Sequence, residues 1–440
     1  MADLKSLARQ IFEQTLRSID IPGVMERKLG VSGDFLQINE ASICLRDFET
    51  VIVIAAGKAA HQMLEGLARV LPSKINFQGI VSAPTAPAKP LGKIKYFAGG
   101  HPTPDQESWN AAEAVVRMLA DCDSKTLVFF LLSGGGSALV ELPLDRGITL
   151  RDVQQTHRAL VTCGAPIEAV NTVRKHFSAV KGGRLASVAA LATKITIGVS
   201  DVPAGKEWAL ASGPTLPDPS SCDDVRRVLE EYALHDKLPA AIRAWLAENK
   251  MPETPKPGDP AFAHSHFVLL LGLDDLFHPA HCAAEARGCI TFCDNSTDDW
   301  PIERAADFLL GQLRELLKTN HDKRRVALIA GGEVSSRVTG NGVGGRNSAF
   351  VLACAKKIAG QGITVLSAGT DGIDGNSPAA GAVADGETCA RAAALGLNID
   401  QYFENSDAYS FFKRLGDDIT TGPTGNNLRD LRIFIAETSG

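Results

Sequence analysis

Apolar positions recur at helical spacing close to the N-terminus. Leu4, Leu7, Ala8, Ile11, Phe12, Leu16 and Ile19 fall on one stripe, which predicts a helix over residues 3–19. The pattern then changes period. Residues 51–56, Val-Ile-Val-Ile-Ala-Ala, are a short apolar run that stops at Gly57-Lys58 and passes into a helical pattern from Ala59 to Leu71. The same order of strand, tight turn and following segment returns twice. Leu127–Leu132 runs into Ser133-Gly134-Gly135-Gly136-Ser137, and Ile195–Val199 runs into Ser200-Asp201. Uninterrupted apolar strands alternating with helices predict a parallel sheet covered on both faces, an α/β fold.

Residues 248–260 break this rhythm with four prolines and little apolar content. Such a stretch reads as a linker. Beyond it a second α/β pattern begins, with strands expected at 266–272, 326–330, 363–368 and 431–436. Helices are expected at about 278–287, 302–318 and 346–359. The expected organisation is an N-terminal domain over 1–250, a Pro-rich linker over 251–261 and a C-terminal domain over 262–440.

Composition narrows the function classes. At 440 residues the chain is too long for one ordinary core. Aromatics are only 6%, which suits Ala/Val/Leu/Ile-packed α/β layers better than a β-sandwich. The net charge is −6 with no basic stripe, so a nucleic-acid surface is not expected. Nine scattered Cys, with no Cys-x-x-Cys, argue against a disulfide framework. The N-terminus carries no signal-peptide core and no apolar run is long enough to span a bilayer, so a cytoplasmic protein without membrane contacts is expected. The ten His show no zinc spacing, and no Gly-x-Ser-x-Gly elbow is present.

Candidate chemistry sits where strands end. Three glycines between Ser133 and Ser137 let several N–H groups point at one anion, a cradle for phosphate or carboxylate; the alternative is a flexible turn. It is neither a Walker A loop nor a Gly-x-Gly-x-x-Gly fingerprint. Lys58, at a strand's C-terminal end, can reach into the ligand crevice of an open sheet. Asp201, one residue past a strand, suits Mg2+ binding or general-base work, or else an Asx turn. Arg174, Lys175, His176, Lys181 and Arg184 form either an anion site or a solvated helix face. Gly344 and Gly345 lead into Arg346 and Asn347 at a helix start. A cation there is electrostatically awkward unless an anion sits beside it, so this is a phosphate-site candidate. Thr370, Asp371 and Asp374 lie in a Gly-rich loop after another strand, where two acids suggest metal or hydroxyl recognition.

These clusters, taken in order, resemble one family. Gly57-Lys58, Ser133 to Ala138, Asn171 to His176, Lys181 to Leu185, Ser200-Asp201-Val202 and Ala211 to Thr215 are followed by Gly331-Gly332-Glu333, Gly344 to Asn347, Gly369 to Gly375 and Thr421 to Gly425. That series is similar to the glycerate 2-kinases whose C-terminal half is the MOFRL domain. The resemblance implies a Rossmann-like N-terminal domain, a smaller C-terminal α/β domain and an active site in the cleft between them. It implies phosphate transfer from ATP to D-glycerate with Mg2+, small-molecule partners only, and a monomer or homodimer. The essential Lys and Arg of the family match Lys58 and Arg346. The implied mechanism has Lys58 and the 133–137 loop holding anionic groups and Arg346 with the backbone of 344–347 clamping phosphate. Asp201 or Asp371 then holds Mg2+ or orients the attacking hydroxyl. Some members carry a hydroxypyruvate reductase label, so a nicotinamide-dependent reductase is one alternative and a non-catalytic ligand-binding homologue another. Residues 273–300 depart from the family pattern, as does Asn426-Asn427.

Overall fold

The structure, a computed structural model, describes residues 3–87, 89–203, 205–248, 251–320 and 325–437. Ala204 of the Ser200–Gly205 loop and Asn249 and Lys250 of the Pro-rich stretch lie outside the described residues. The chain divides into two compact units, Ile21–Gly272 and a second made of residues 1–20 and Leu273–Gly440. No described helix is long and apolar enough to cross a membrane.

The Ile21–Gly272 unit is built on six parallel strands: β1 (Thr50–Ala56), β2 (Phe77–Ala83), β3 (Lys93–Ala98), β4 (Thr126–Ser133), β5 (Thr193–Val199) and β6 (Ser265–Leu271). They lie in the order β3-β2-β1-β4-β5-β6. The first three strands step outward one way from β1 and the last three step the other way from β4. The order therefore reverses between β1 and β4, which is where open sheets of this kind bind ligands, beyond the strands' C-terminal ends. All eight residues of β4 are buried, as a strand covered on both faces requires. In register, Ile54 of β1 lies between Ile80 of β2 and Phe130 of β4, and these join Val115 and Leu119 of helix Gln106–Ala120 in one core. That helix starts cleanly because Asp105 and Ser108 form a reciprocal capping box.

Two expectations about the boundary change. Strand β6 lies beyond the Pro-rich stretch, yet it pairs with β5 and completes this sheet, with Ile197 opposite Val268. The division falls after Gly272 rather than at 251–261. Thr254 and Ala261, inside the supposed linker, are buried, so the prolines shape a packed return segment and not a tether. The N-terminal helix, Leu4–Ser18, groups with the other unit, where Lys5 Nζ bonds Asp417 at 3.0 Å and Arg9 donates to Asp418 O at 2.9 Å.

That unit carries a mixed sheet of β7 (Ile290–Asp294), β8 (Arg325–Ala330), β9 (Ile363–Gly369), β10 (Gly381–Asp385), β11 (Asp418–Ile419) and β12 (Asp430–Glu437). Its order is β7-β8-β12-β9-β10-β11, with only β7 and β8 parallel. Strand β12 runs through the centre of the sheet, so its buried Phe434 and Ala436 pack into the core with helices Ile302–Thr319 and Arg346–Lys357.

Candidate active site

In the first unit, the ends of β1, β4 and β5 bring Lys58, the 133–137 loop and Asp201 to one edge of the sheet. Two backbone turns are locked together there. Lys58 N donates to Gly134 O at 3.0 Å and Ala59 N donates to Ser133 Oγ at 3.0 Å. Gly57 has φ +132°, and a Cβ on it would sit 2.1 Å from Ser133 Oγ, so only glycine fits. Ser133 is fully buried and its hydroxyl is spent on this turn. It positions the half-buried Lys58 rather than facing a ligand. Gly135 takes a left-handed φ of +84° to open the loop, and a Cβ there would press on His101 at 3.1 Å. Gly136 is held by close packing too, since its Cβ would lie 2.9 Å from Ala211 Cβ. Ser137 stays half-buried, with its Oγ 2.6 Å from Ser212 Oγ, while Arg174 donates to its carbonyl at 3.3 Å.

The basic cluster splits by role. Lys175 and Lys181 are fully buried and paired with Asp218 and Glu141, each at 2.5 Å. They are internal struts, neither a free anion site nor a solvated face. Removing one partner of such a pair would strand a buried charge. Arg174 alone reaches the Ser137 loop.

His157 lies close to Arg174 and Lys181, and burial together with these cations pushes its pKa down to about 4. In the unfolded chain the ring titrates near its ordinary ~6.5. Between those values only the unfolded chain takes the proton. The stabilisation is therefore complete above about 6.5 and drains away as pH falls toward about 4. His157→Gln is expected to flatten the fall of the urea midpoint over that window. A variant with the wild-type acid slope would contradict this assignment.

In the second unit, Arg346 opens helix Arg346–Lys357 and meets the protein's own anions. Its Nε donates to Asp430 Oδ2 at 2.6 Å and its Nη2 to Asp430 Oδ1 at 3.2 Å; Glu333 Oε1 lies 2.7 Å from Nη2. Burial disfavours this charge, but Asp430 and Glu333 outweigh burial and raise the pKa above the ordinary arginine value. Asp430, only 2% exposed, is itself held low by Arg346 in spite of its burial. The guanidinium is thus preorganised, with its side chain still 36% exposed.

Three of the four backbone N–H groups of 344–347, those of Gly344, Gly345 and Asn347, are taken by the protein itself and do not offer the phosphate clamp that the sequence suggested. Gly344 N donates to Asn376 Oδ1 at 2.8 Å and Gly345 N to Ser348 Oγ at 3.2 Å. Asn347 N and Ser348 N both donate to Asp374, at 2.9 and 2.8 Å. These orphan donors of the helix start are satisfied from within. This also reassigns Asp374. It is 1% exposed and both oxygens cap the helix, so it is a strut and not a metal ligand. Thr370 is equally committed: its hydroxyl donates to Arg429 O and accepts from Leu428 N, each at 2.8 Å. Asn347 is buried and takes a hydrogen bond from Ser367 Oγ at 2.5 Å. Asp371 remains half-buried in its turn, with one oxygen accepting from Ile373 N at 3.0 Å. Its oxygens are the ligand type that suits a hard cation.

A family profile described as a domain of unknown function, DUF4147, matches residues 7–247, more than half of the chain, and the MOFRL family profile matches residues 326–430. The chain belongs to the DUF4147–MOFRL family. A Thermotoga maritima protein named D-glycerate 2-kinase is 36% identical over 88% of this chain and 91% of its own length. A Pyrococcus horikoshii protein named glycerate 2-kinase is 30% identical over 98% of this chain and 97% of its own length. A crystal structure titled as glycerate kinase from Thermotoga maritima superposes with a TM-score of 0.80 at 32% identity, covering 99% and 100% of the two chains.

Within this member of the family, sequence reasoning left three residues out of the candidate site. Asp430 opens the largely apolar β12 and Arg432 interrupts it, and charges in a buried strand were the available signal. Arg432 is fully buried against the Phe350 ring, and burial lowers its pKa to about 10. Asp298 lies in the divergent 273–300 stretch. It pairs with Arg429 through two 2.6 Å contacts and accepts from Glu333 N at 2.9 Å, so this stretch steadies the carboxylate that touches Arg346.

Proposed function

We propose that this protein transfers the γ-phosphoryl group of ATP to the 2-hydroxyl of D-glycerate, giving 2-phosphoglycerate and ADP. The observation that carries the reading is the locked Gly57-Lys58/Ser133–Ser137 turn at the sheet's reversal point, in a chain whose near-full-length relatives are named glycerate 2-kinases. Phosphoryl transfer asks mainly for positioning and neutralisation of charge. Lys58 supplies a compact cation for anionic oxygens and Gly134 to Ser137 supply the close-approach turn. Arg346, held by Asp430, supplies a fixed planar cation. Asp201 takes the proton from the 2-hydroxyl as its oxygen bonds to phosphorus and the bond to ADP breaks.

Mg2+ suits the residues present. Asp371 is a half-buried carboxylate at the end of β9 and offers the hard oxygen ligands such an ion prefers. When bound, the ion would screen the negative charge of the phosphates. Asp374, Thr370, Asn347, Gly344 and Gly345 enter this reading as the frame around Arg346 and Asp371.

Incubation with D-glycerate, ATP and Mg2+ followed by ³¹P NMR is expected to show 2-phosphoglycerate. A 3-phosphoglycerate signal would keep the kinase and overturn the regiochemistry. No phosphorylated product, together with NADH oxidation by hydroxypyruvate in the absence of ATP, would overturn the reading as a whole.

A further inference from the structure

His176 occupies the last turn of helix Ile167–Phe177 and is fully buried. Its Nδ1 lies 2.9 Å from Thr172 O, a geometry in which that nitrogen carries the proton and donates. The lone pair then sits on Nε2, as in metal-bound histidines whose other nitrogen is fixed by a carbonyl. Nε2 is buried and has no hydrogen-bond partner. A buried acceptor left in that state demands an explanation.

Two further ligand atoms face it. Cys222 begins helix Cys222–Glu231, and Glu253 belongs to the Pro-rich return segment. Glu253 Oε2 is 3.7 Å from His176 Nε2, and the nitrogen, the Cys222 sulfur and the carboxylate oxygen all lie within 4.8 Å of one another. Glu253 is aimed by its other oxygen, which accepts from Cys222 N at 2.9 Å. Its side chain is 50% exposed, which leaves the cluster open to solvent on one side.

We propose that His176, Cys222 and Glu253 bind one zinc-type divalent cation through Nε2, Sγ and Oε2, with water in the fourth position. Tetrahedral bonds of about 2.0–2.3 Å place ligand atoms roughly 3.3–3.8 Å apart. The 3.7 Å His–Glu spacing already meets that requirement, and the sulfur has only a short way to move. A thiolate and an imidazole select a borderline-soft ion over Mg2+. On binding, the Cys222 thiol gives its proton to solvent and the sulfur bonds the metal. Lys256, 3.0 Å from Glu253 Oε2, is the competitor; it keeps Thr254 Oγ1 as a partner at 2.8 Å when the metal displaces it. The bound ion would clip the return segment to two helices, apart from the groups assigned to phosphoryl transfer.

The test is a Co2+ titration of the full chain in excess Mg2+, so that oxygen-rich sites are already filled. One equivalent is expected to produce a sulfur-to-cobalt charge-transfer band with tetrahedral visible bands, and Zn2+ should bleach both. Cys222→Ser is expected to abolish the charge-transfer band, and Glu253→Gln to weaken Co2+ binding more than about tenfold. Zn2+ should raise Tm in the wild type and not in Glu253→Gln. A wild type without the band, or a band that persists in Cys222→Ser, overturns the proposal; the latter would place the metal on the exposed Cys282 or Cys293. Should Cys222→Ser fail to fold, the half-exposed Glu253→Gln decides, and unchanged affinity there is equally fatal.

Discussion

Lys58→Ala is expected to lower kcat for D-glycerate phosphorylation on the order of 10²–10⁴-fold, the loss typical of a preorganised charge donor. The fold should survive the change. Only the half-buried Lys58 side chain is removed, and the turn that carries it is made by backbone and by Ser133. Steady-state kinetics with a parallel urea titration separate the two effects. Near-normal kcat in a folded Lys58→Ala variant would remove this lysine from the mechanism and with it the central support for the proposed site.

Arg346→Ala should behave differently, because it damages both activity and stability. Asp430 is almost fully buried and takes two hydrogen bonds from this guanidinium. Stranding one member of a buried ion pair costs about 3–5 kcal/mol, and the partial exposure of Arg346 brings the expectation to roughly 2–4 kcal/mol. A second substitution tells the two roles apart. Adding Asp430→Asn to Arg346→Ala removes the uncompensated charge, so the urea midpoint should recover in part while activity stays lost. If stability and activity recover together, Arg346 is only a strut. If Arg346→Ala leaves both near wild type, the pairing with Asp430 has no energetic weight.

Much of the candidate site was legible because each turn follows an apolar run. The run at 127–132 became Thr126–Ser133, and the run at 363–368 became Ile363–Gly369. Glycine clusters after such runs mark strand ends, so Lys58, Ser133 to Ser137 and Asp201 could be placed at one edge before any contact was known. What stayed hidden was the use of each polar group. Asp374 and Thr370 have the residue types of ligands, yet their partners, Ser348 and Arg429, lie 26 and 59 residues away along the chain. The anion expected beside Arg346 exists, and it is Asp430, 84 residues on.

Local periodicity therefore determined the α/β class, the strands with long apolar runs and the positions of the glycine turns after them, because those depend on neighbours within a few residues; strands such as Phe77–Ala83 and Gly381–Asp385 carried no such local signal. Tertiary structure decided the rest. It set the strand order that reverses between β1 and β4, since hydrogen bonds between distant strands choose their neighbours. It moved β6 across the Pro-rich stretch into the first sheet, because an apolar strand gains more from an open edge than a proline segment gains from acting as a tether. It also divided the polar residues into struts and candidate ligands. A buried carboxylate or hydroxyl must be satisfied from within, and only the folded chain shows which donors reach it.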